Sequence, residues 1–247
     1  MSIRSYLKSC SGFTLVEAAV VIIIVGILAA VAMQKLSVSV VTSQYERTKT
    51  QLDALANAIA GDPKLYERGA RTDFGYVGDV GAFPPNLDAL VQNPGGYATW
   101  NGPYVERDGA STDYKKDAWN TAIVYADTLL RSTGSGSNID KLISSSKAAL
   151  TSDTVTGYIV DANHTSPGST YKDSLWVQLS YPNGAGGMKT DSLHPAGNGW
   201  FQFTGVPVGS HTLKVVFRPA TDTITTPVTV YPKSRTKIEI LFPAELW

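Results

Sequence analysis

The feature that most constrains this chain is the run FTLVEAAVVIIIVGILAAVAM, Phe13 to Met33, 21 residues with a single charge, Glu17. At about 1.5 Å per residue a helix of that length reaches roughly 30 Å, the thickness of a bilayer's hydrocarbon core. A core helix of a soluble protein is the alternative, but a run this long and this apolar reads as membrane-spanning. Arg4 and Lys8 precede it, so the positive-inside rule keeps the first residues cytoplasmic and sends the bulk of the chain across. A secretory signal would carry a shorter apolar core with its small-residue cleavage site behind it. Here the small-residue site, Gly12-Phe13, stands in front. Cleavage there would remove the basic leader and leave the helix on the mature protein. A carboxylate inside an apolar helix is costly in lipid unless it is paired. A free amine at Phe13 of a neighbouring chain would give Glu17 that partner.

The residues GFTLVE, followed by an apolar helix, resemble type IV prepilins and the pseudopilins of type II secretion. The resemblance implies cleavage after Gly12 by a prepilin peptidase, N-methylation of Phe13, and assembly into a filament in which Glu17 docks on a neighbouring subunit's amine. It further implies an inner-membrane assembly platform as partner, alongside other pilin or pseudopilin subunits and the lipid bilayer. The expected location is the bacterial inner membrane, single-pass, with the rest of the chain periplasmic or in an extracellular filament. The sequence departs from many family members in carrying Gln34 where a proline is common.

Beyond the apolar run, Lys35 to Ala60 holds no proline or glycine. Val41, Tyr45, Thr48, Leu52, Leu55 and Ile59 recur at steps of three and four, one face of a helix. Gly61 and Asp62-Pro63 are stop signals. One helix is therefore expected over 13–60, about 70 Å long at 1.5 Å per residue, with 13–33 transmembrane. Residues 61–150 are loop-rich, with Gly and Pro as turn markers, and Asn86 opens a short helix. The stretch Pro84 to Tyr104 resembles a pseudopilin segment, and 117–125 the strand that follows. The loop Ser132 to Ser137 resembles one that commonly holds calcium in the major pseudopilins of type II secretion. Here serine and glycine stand where acids are expected, and calcium wants several oxygen ligands including carboxylates. Asp117 and Asp140 are the candidate metal residues. A metal-free polar loop, with no cofactor, is the leading expectation.

From about Thr154 the texture changes. Short β-branched and aromatic runs alternate with turns such as Tyr181 to Gly184, which suggests an antiparallel β-sandwich. The stretch GNGWFQFTGVPVGSHTLKV resembles the carboxypeptidase regulatory-like, transthyretin-like sandwich, through Gly199, Phe201, Phe203, Val206, Pro207, Gly209 and Leu213. Such domains are usually non-catalytic spacers or binding modules. Tyr158, Trp176, Tyr181, Trp200 and Trp247 could form an exposed aromatic platform for sugars, although strand aromatics are more often core. Strand alternation picks Trp200, beside an inward Phe201, as the exposed candidate ligand-binding residue.

The expected fold class is α+β: a long N-terminal transmembrane or filament helix packed on a small pilin-like head, then an all-β antiparallel sandwich. The expected segments are a leader at 1–12, the helix at 13–60, the head at 61–150 and the sandwich at 151–247. Basic and acidic residues balance at 21 each, so no nucleic-acid partner is expected. The single cysteine, Cys10, excludes an intrachain disulfide. His164, His194 and His211 show no metal-ligand spacing, and no nucleophile elbow or phosphate loop is present. Asn163-His164-Thr165 fits a glycosylation sequon. Three functions stay open: a structural filament subunit, a minor adhesive pilin whose sandwich binds a protein or glycan, and a membrane-anchored enzyme. The GFTLVE leader favours the first two, with no catalytic role.

Overall fold

The computed structural model describes residues 12, 14–106 and 113–247. They fall into two units, the first ending at Glu46 and the second running from Arg47 to Trp247. Helix α1, Leu15–Ala60, supplies residues to both.

In the first unit α1 carries its apolar side chains outward: Ile22 is 71% exposed and Leu28 63%. Among the described residues α1 is the one helix long and apolar enough to cross a bilayer. Of the expected stripe, Val41 and Tyr45 are exposed, whereas Thr48, Leu52, Leu55 and Ile59 are buried. The last turn ends for a local reason. Gly61 adopts φ +78°, its N–H donates to Asn57 O at 2.6 Å, and a side chain there would collide with the Asp73 carbonyl. The buried Arg71 guanidinium donates to Ala60 O at 2.6 Å and Asp73 O at 2.7 Å, satisfying a terminal carbonyl that the helix leaves open.

The second unit begins around that last stretch of α1. A two-residue hairpin joins β1, Tyr66–Glu67, to β2, Ala70–Arg71, and is followed by α2, Gly75–Val80. A 3₁₀ turn at Leu87–Leu90 is capped by the Asn86 side chain, which accepts from Ala89 N at 3.2 Å. An antiparallel meander follows: β3, Val124–Ala126; β4, Leu129–Ser132; β5, Ile139–Leu142. Leu52, Leu55 and Ile59 pack there with Tyr76, Val77, Leu90, Leu130 and Ile139 in one cluster. The segment from Pro84 to Tyr104 closes it, with Trp100 Nε1 donating to Ala89 O at 2.8 Å and the Tyr104 ring edge-on to both Trp100 and Tyr76.

Seven longer strands complete the unit: β6, Asp153–Asp161; β7, Leu175–Pro182; β8, Met188–Leu193; β9, Trp200–Val206; β10, Gly209–Phe217; β11, Asp222–Val230; and β12, Arg235–Phe242. They form two sheets, ordered β11-β10-β7-β8 and β12-β6-β9. Alternate residues face inward, so Val155, Ile159, Phe201, Phe203 and Ile240 of one sheet share a core with Val177, Leu179, Leu213, Val215 and Val228 of the other. Gly157 sits where a Cβ would press into the Phe201 ring at 2.5 Å. One pairing departs from the expected all-antiparallel sandwich: β12 runs parallel to β6, with Ile240 opposite Ile159. β11 lies in the other sheet, so the chain crosses between sheets before β12 instead of turning back on a neighbour. Alternation fixes which face is buried and is silent on the direction of the partner strand.

The two clusters meet within this unit. Val208, between β9 and β10, is fully buried and belongs to the cluster built on α1 and α2. Its N–H donates to Leu150 O at 3.0 Å, and Gly184 N donates to Val80 O at 2.8 Å. The Phe74 and Tyr231 rings sit 6.4 Å apart.

Candidate functional site

The N-terminal processing pair is half described: Gly12 is exposed, and Phe13 lies outside the described residues, as do Arg4 and Lys8. Two residues on, Thr14 and Glu17 hold each other. Glu17 N donates to Thr14 Oγ1 at 3.2 Å, and the Thr14 N–H and hydroxyl donate to Glu17 Oε2 at 3.4 and 3.3 Å. This reciprocal arrangement is a capping box, and it satisfies donors that the first turn leaves open. The signal stands in the sequence as Thr14-x-x-Glu17 ahead of an apolar run. Within one chain Glu17 therefore already has a partner. Its contacts are long, exposed and made to neutral donors, so the carboxylate remains open to a cationic partner.

Residues 7–33 match the model of the prokaryotic N-terminal methylation motif. The chain carries a prepilin-type N-terminus. That motif supports a pilin-like chain and, with the apolar α1, is consistent with membrane anchoring. Three solved structures align with parts of the chain. A DUF3823 family protein from Parabacteroides merdae is 13% identical, with 37% of this chain and 46% of that chain aligned at a TM-score of 0.29. A streptococcal ancillary pilin is 14% identical, covering 48% of this chain and 42% of that one at 0.28. The major pilin subunit of Bacillus cereus is 11% identical, covering 47% and 36% at 0.24. The chain thus spans less than half of each, and likeness this loose carries no argument about function. No curated protein matches the chain.

The candidate metal residues take up other work. Asp117 is buried. Its Oδ1 accepts from the N–H of Trp119 and of Thr121, both at 2.9 Å, and its Oδ2 from the Ser132 hydroxyl at 2.6 Å and Gly134 N at 3.1 Å. A carboxylate offers about four lone-pair sites, and here each has a donor. Burial disfavours its charge, but the Ser132 hydroxyl and the N–H groups of Thr121, Trp119 and Gly134 outweigh that and hold the carboxyl below its ordinary range. Asp140 is paired two-pronged with Arg131, Nε and Nη2 each at 2.6 Å. Calcium needs free oxygen lone pairs. The donor-rich surroundings of Asp117 and the cation on Asp140 do not fit it. Among the described residues no group of three or more His, Cys, Asp or Glu gathers.

The histidines occupy three separate places. His211 is buried, and its Nε2 donates to Pro207 O at 2.7 Å, which leaves Nδ1 with a lone pair and no partner. Burial lowers its pKa. His194 Nδ1 bonds Leu175 O at 2.7 Å, and its ring meets Trp176 edge-on. His164 is exposed on the turn after β6, its Nδ1 3.7 Å from Glu239 Oε1. Asn163 of the sequon is exposed on the same turn.

The five-aromatic platform divides. Tyr181 is buried, its hydroxyl donating to Asp191. Trp247 packs on Phe217 and Phe242. Trp176, on the other sheet, is covered by the Arg218 guanidinium 4.5 Å above its ring. Tyr158 and Trp200 alone remain together. They are direct partners across β6 and β9 and share the outer face of that sheet. Each is 37% exposed, while Phe201 next to Trp200 is 1% exposed.

Proposed function

We propose that the chain is a structural, non-catalytic subunit of a type IV pilus-like filament or a type II secretion pseudopilus. On this reading a prepilin peptidase cuts after Gly12, Phe13 is methylated, and the subunit waits in the inner membrane until an assembly platform extracts it. The observation that carries the reading is the methylation motif over residues 7–33 at the head of an unburied apolar helix. Glu17 then leaves Thr14 for the methylated amine of a neighbouring subunit, because an ammonium partner gives a stronger hydrogen bond than an amide N–H. Intact-mass measurement of the membrane and filament fractions tests the reading. The expected species begins at Phe13 with one added methyl group, and Met1 retained in assembled material would overturn it. Glu17→Ala is expected to leave a cleaved, membrane-resident protein that enters filaments poorly.

The exposed Tyr158–Trp200 pair favours a second reading, in which the subunit is a minor, adhesive one that displays its sandwich to a protein or glycan.

A further inference from the structure

The outer face of the β12-β6-β9 sheet has features that neither membrane anchoring nor filament packing through α1 requires. Tyr158 sits at its centre, directly opposite Trp200 on one side and Glu239 on the other. Its hydroxyl bonds no protein group among the described residues. Beside it lies a depression of about 640 Å³ bordered by Tyr158, His164, Ser166, Asn198, Lys237 and Glu239. The border therefore offers an amide, a hydroxyl, an imidazole, an ammonium and a carboxylate. Lys237 and Glu239 are of opposite sign two residues apart on one strand, so the border carries no net field for a strongly charged ligand. Lys237 Nζ rests 5.7 Å from the Tyr158 ring centroid and is on an exposed, flexible stem that can swing aside.

The rim is held in place from below. Asp161 Oδ1 accepts from Asn163 N at 3.0 Å and Thr165 N at 2.8 Å. Trp247 Nε1 donates to Thr165 O at 2.9 Å, the Ser166 hydroxyl donates to Asn198 O at 3.3 Å, and Asn198 Oδ1 accepts from Trp200 N at 3.1 Å. A pre-set loop reduces the ordering cost of binding.

Two adjacent, part-exposed aromatic side chains, of which Tyr158 borders a depression lined by donors and acceptors of balanced charge, match a ligand with a flat apolar face and a hydroxyl-rich edge. A pyranose with all-equatorial substituents has that shape: its C–H bonds lie on the faces and its hydroxyls on the rim. We propose that Tyr158 and Trp200 form a binding site for neutral β-linked glucose or N-acetylglucosamine chains, with Asn198, Lys237 and Glu239 holding the hydroxyls. The site deepens the adhesive reading, on which it rests, by naming the glycan class; it does not depend on filament assembly, because it lies in one chain and is measured without it.

The test uses the full chain purified in a zwitterionic detergent with no sugar headgroup. Chitohexaose and cellohexaose are titrated by calorimetry and tryptophan fluorescence, with polygalacturonate as an anionic comparator. Saturable binding of at least one neutral hexasaccharide is expected. Tyr158→Ala and Trp200→Ala are each expected to weaken it about tenfold, and Tyr158→Phe and Trp200→Phe to stay within about threefold, since they keep an aromatic face. If an alanine variant melts early, the two phenylalanine variants and Glu239→Gln carry the comparison, the last losing about fivefold through its hydroxyl contacts. No saturation with either hexasaccharide would overturn the proposal. So would equal binding of polygalacturonate, or affinity unchanged by every substitution.

Discussion

Val208→Ala tests whether the two apolar clusters of residues 47–247 stand or fall together. Val208 is wholly buried, and it comes from the β9–β10 turn while packing in the cluster built on α1 and α2. The substitution removes two carbons, about 1.6 kcal/mol at ~0.8 kcal/mol per buried methylene. The Val208 N–H is tied to Leu150 O at 3.0 Å, so the backbone cannot collapse freely into the space, and the cavity raises the loss to about 2–3 kcal/mol. For a unit of this size each kcal/mol moves the melting midpoint by about 2–4 °C, a fall of about 4–12 °C in all. Calorimetry of the full chain in micelles, with near-ultraviolet circular dichroism as a second probe, reads this directly. The expected trace is one cooperative transition, shifted as a whole. A loss under about 0.5 kcal/mol, the level of an ordinary surface change, would refute the inserted position of Val208. Two transitions, only one of them shifted, would refute the coupling.

Asp117→Asn is expected to cost about 1–3 kcal/mol, because its amide nitrogen meets N–H or hydroxyl donors that need an acceptor; a chemical denaturation midpoint measures it. The native carboxyl of Asp117 titrates below its unfolded value, so its contribution is complete above the unfolded pKa and is lost as pH falls through the folded one. The wild-type minus Asn difference in stability therefore shrinks on acidification, and a difference that grows would contradict the donor cage. Asp153 behaves in the opposite sense: burial raises its pKa despite backbone N–H donors at Ser234 and Lys233, and its Oδ2 has no partner. Asp153→Asn is thus expected to raise the melting midpoint at neutral pH, with the gain shrinking as pH falls below the raised native pKa and vanishing below the ordinary aspartate value, where the carboxyl is neutral in both states. Thr14→Ala removes the cap of α1, worth about 1 kcal/mol, and first-turn amides should exchange with deuterium about fivefold faster in micelles. Residues 152–247 expressed alone keep their own core but lay Val208 bare; they are expected to melt cooperatively, and an insoluble product would mean that the sandwich needs the rest of the unit.

How much of this was legible in the sequence depended on the range of the interaction involved. The α1 helix was readable because a long apolar run leads into a stretch without proline or glycine, and its end is written in Gly61. Trp200 and Phe201 could be assigned to opposite faces by the two-residue repeat alone. Thr14 and Glu17 are three apart, and their mutual capping was available to the same kind of reading. What alternation and spacing do not contain is which distant segments meet. The parallel direction of β12 beside β6, the burial of Val208 in a cluster begun some 150 residues earlier, and the four donors around Asp117 are tertiary facts. The same holds for the aromatics: alternation singles out Trp200, but the packing of Arg218 on Trp176 and of Trp247 on Phe217, the burial of Tyr181 and the pairing of Tyr158 with Trp200 are not written in it.

The pairing of β6 with β12 has a consequence for the order of events during synthesis. β6 is the first strand of the sandwich to be made and β12 the last, and the sheet that joins them has only β9 besides. Until residue 242 has been delivered, one flank of β6 lacks its neighbour, and Ile240 and Phe242 are missing from the core around Ile159. Long-range pairing of this kind is slow, and it leaves apolar surface and an open strand edge waiting. A chain made from its N-terminal end therefore keeps its sandwich incomplete until that last strand has been delivered.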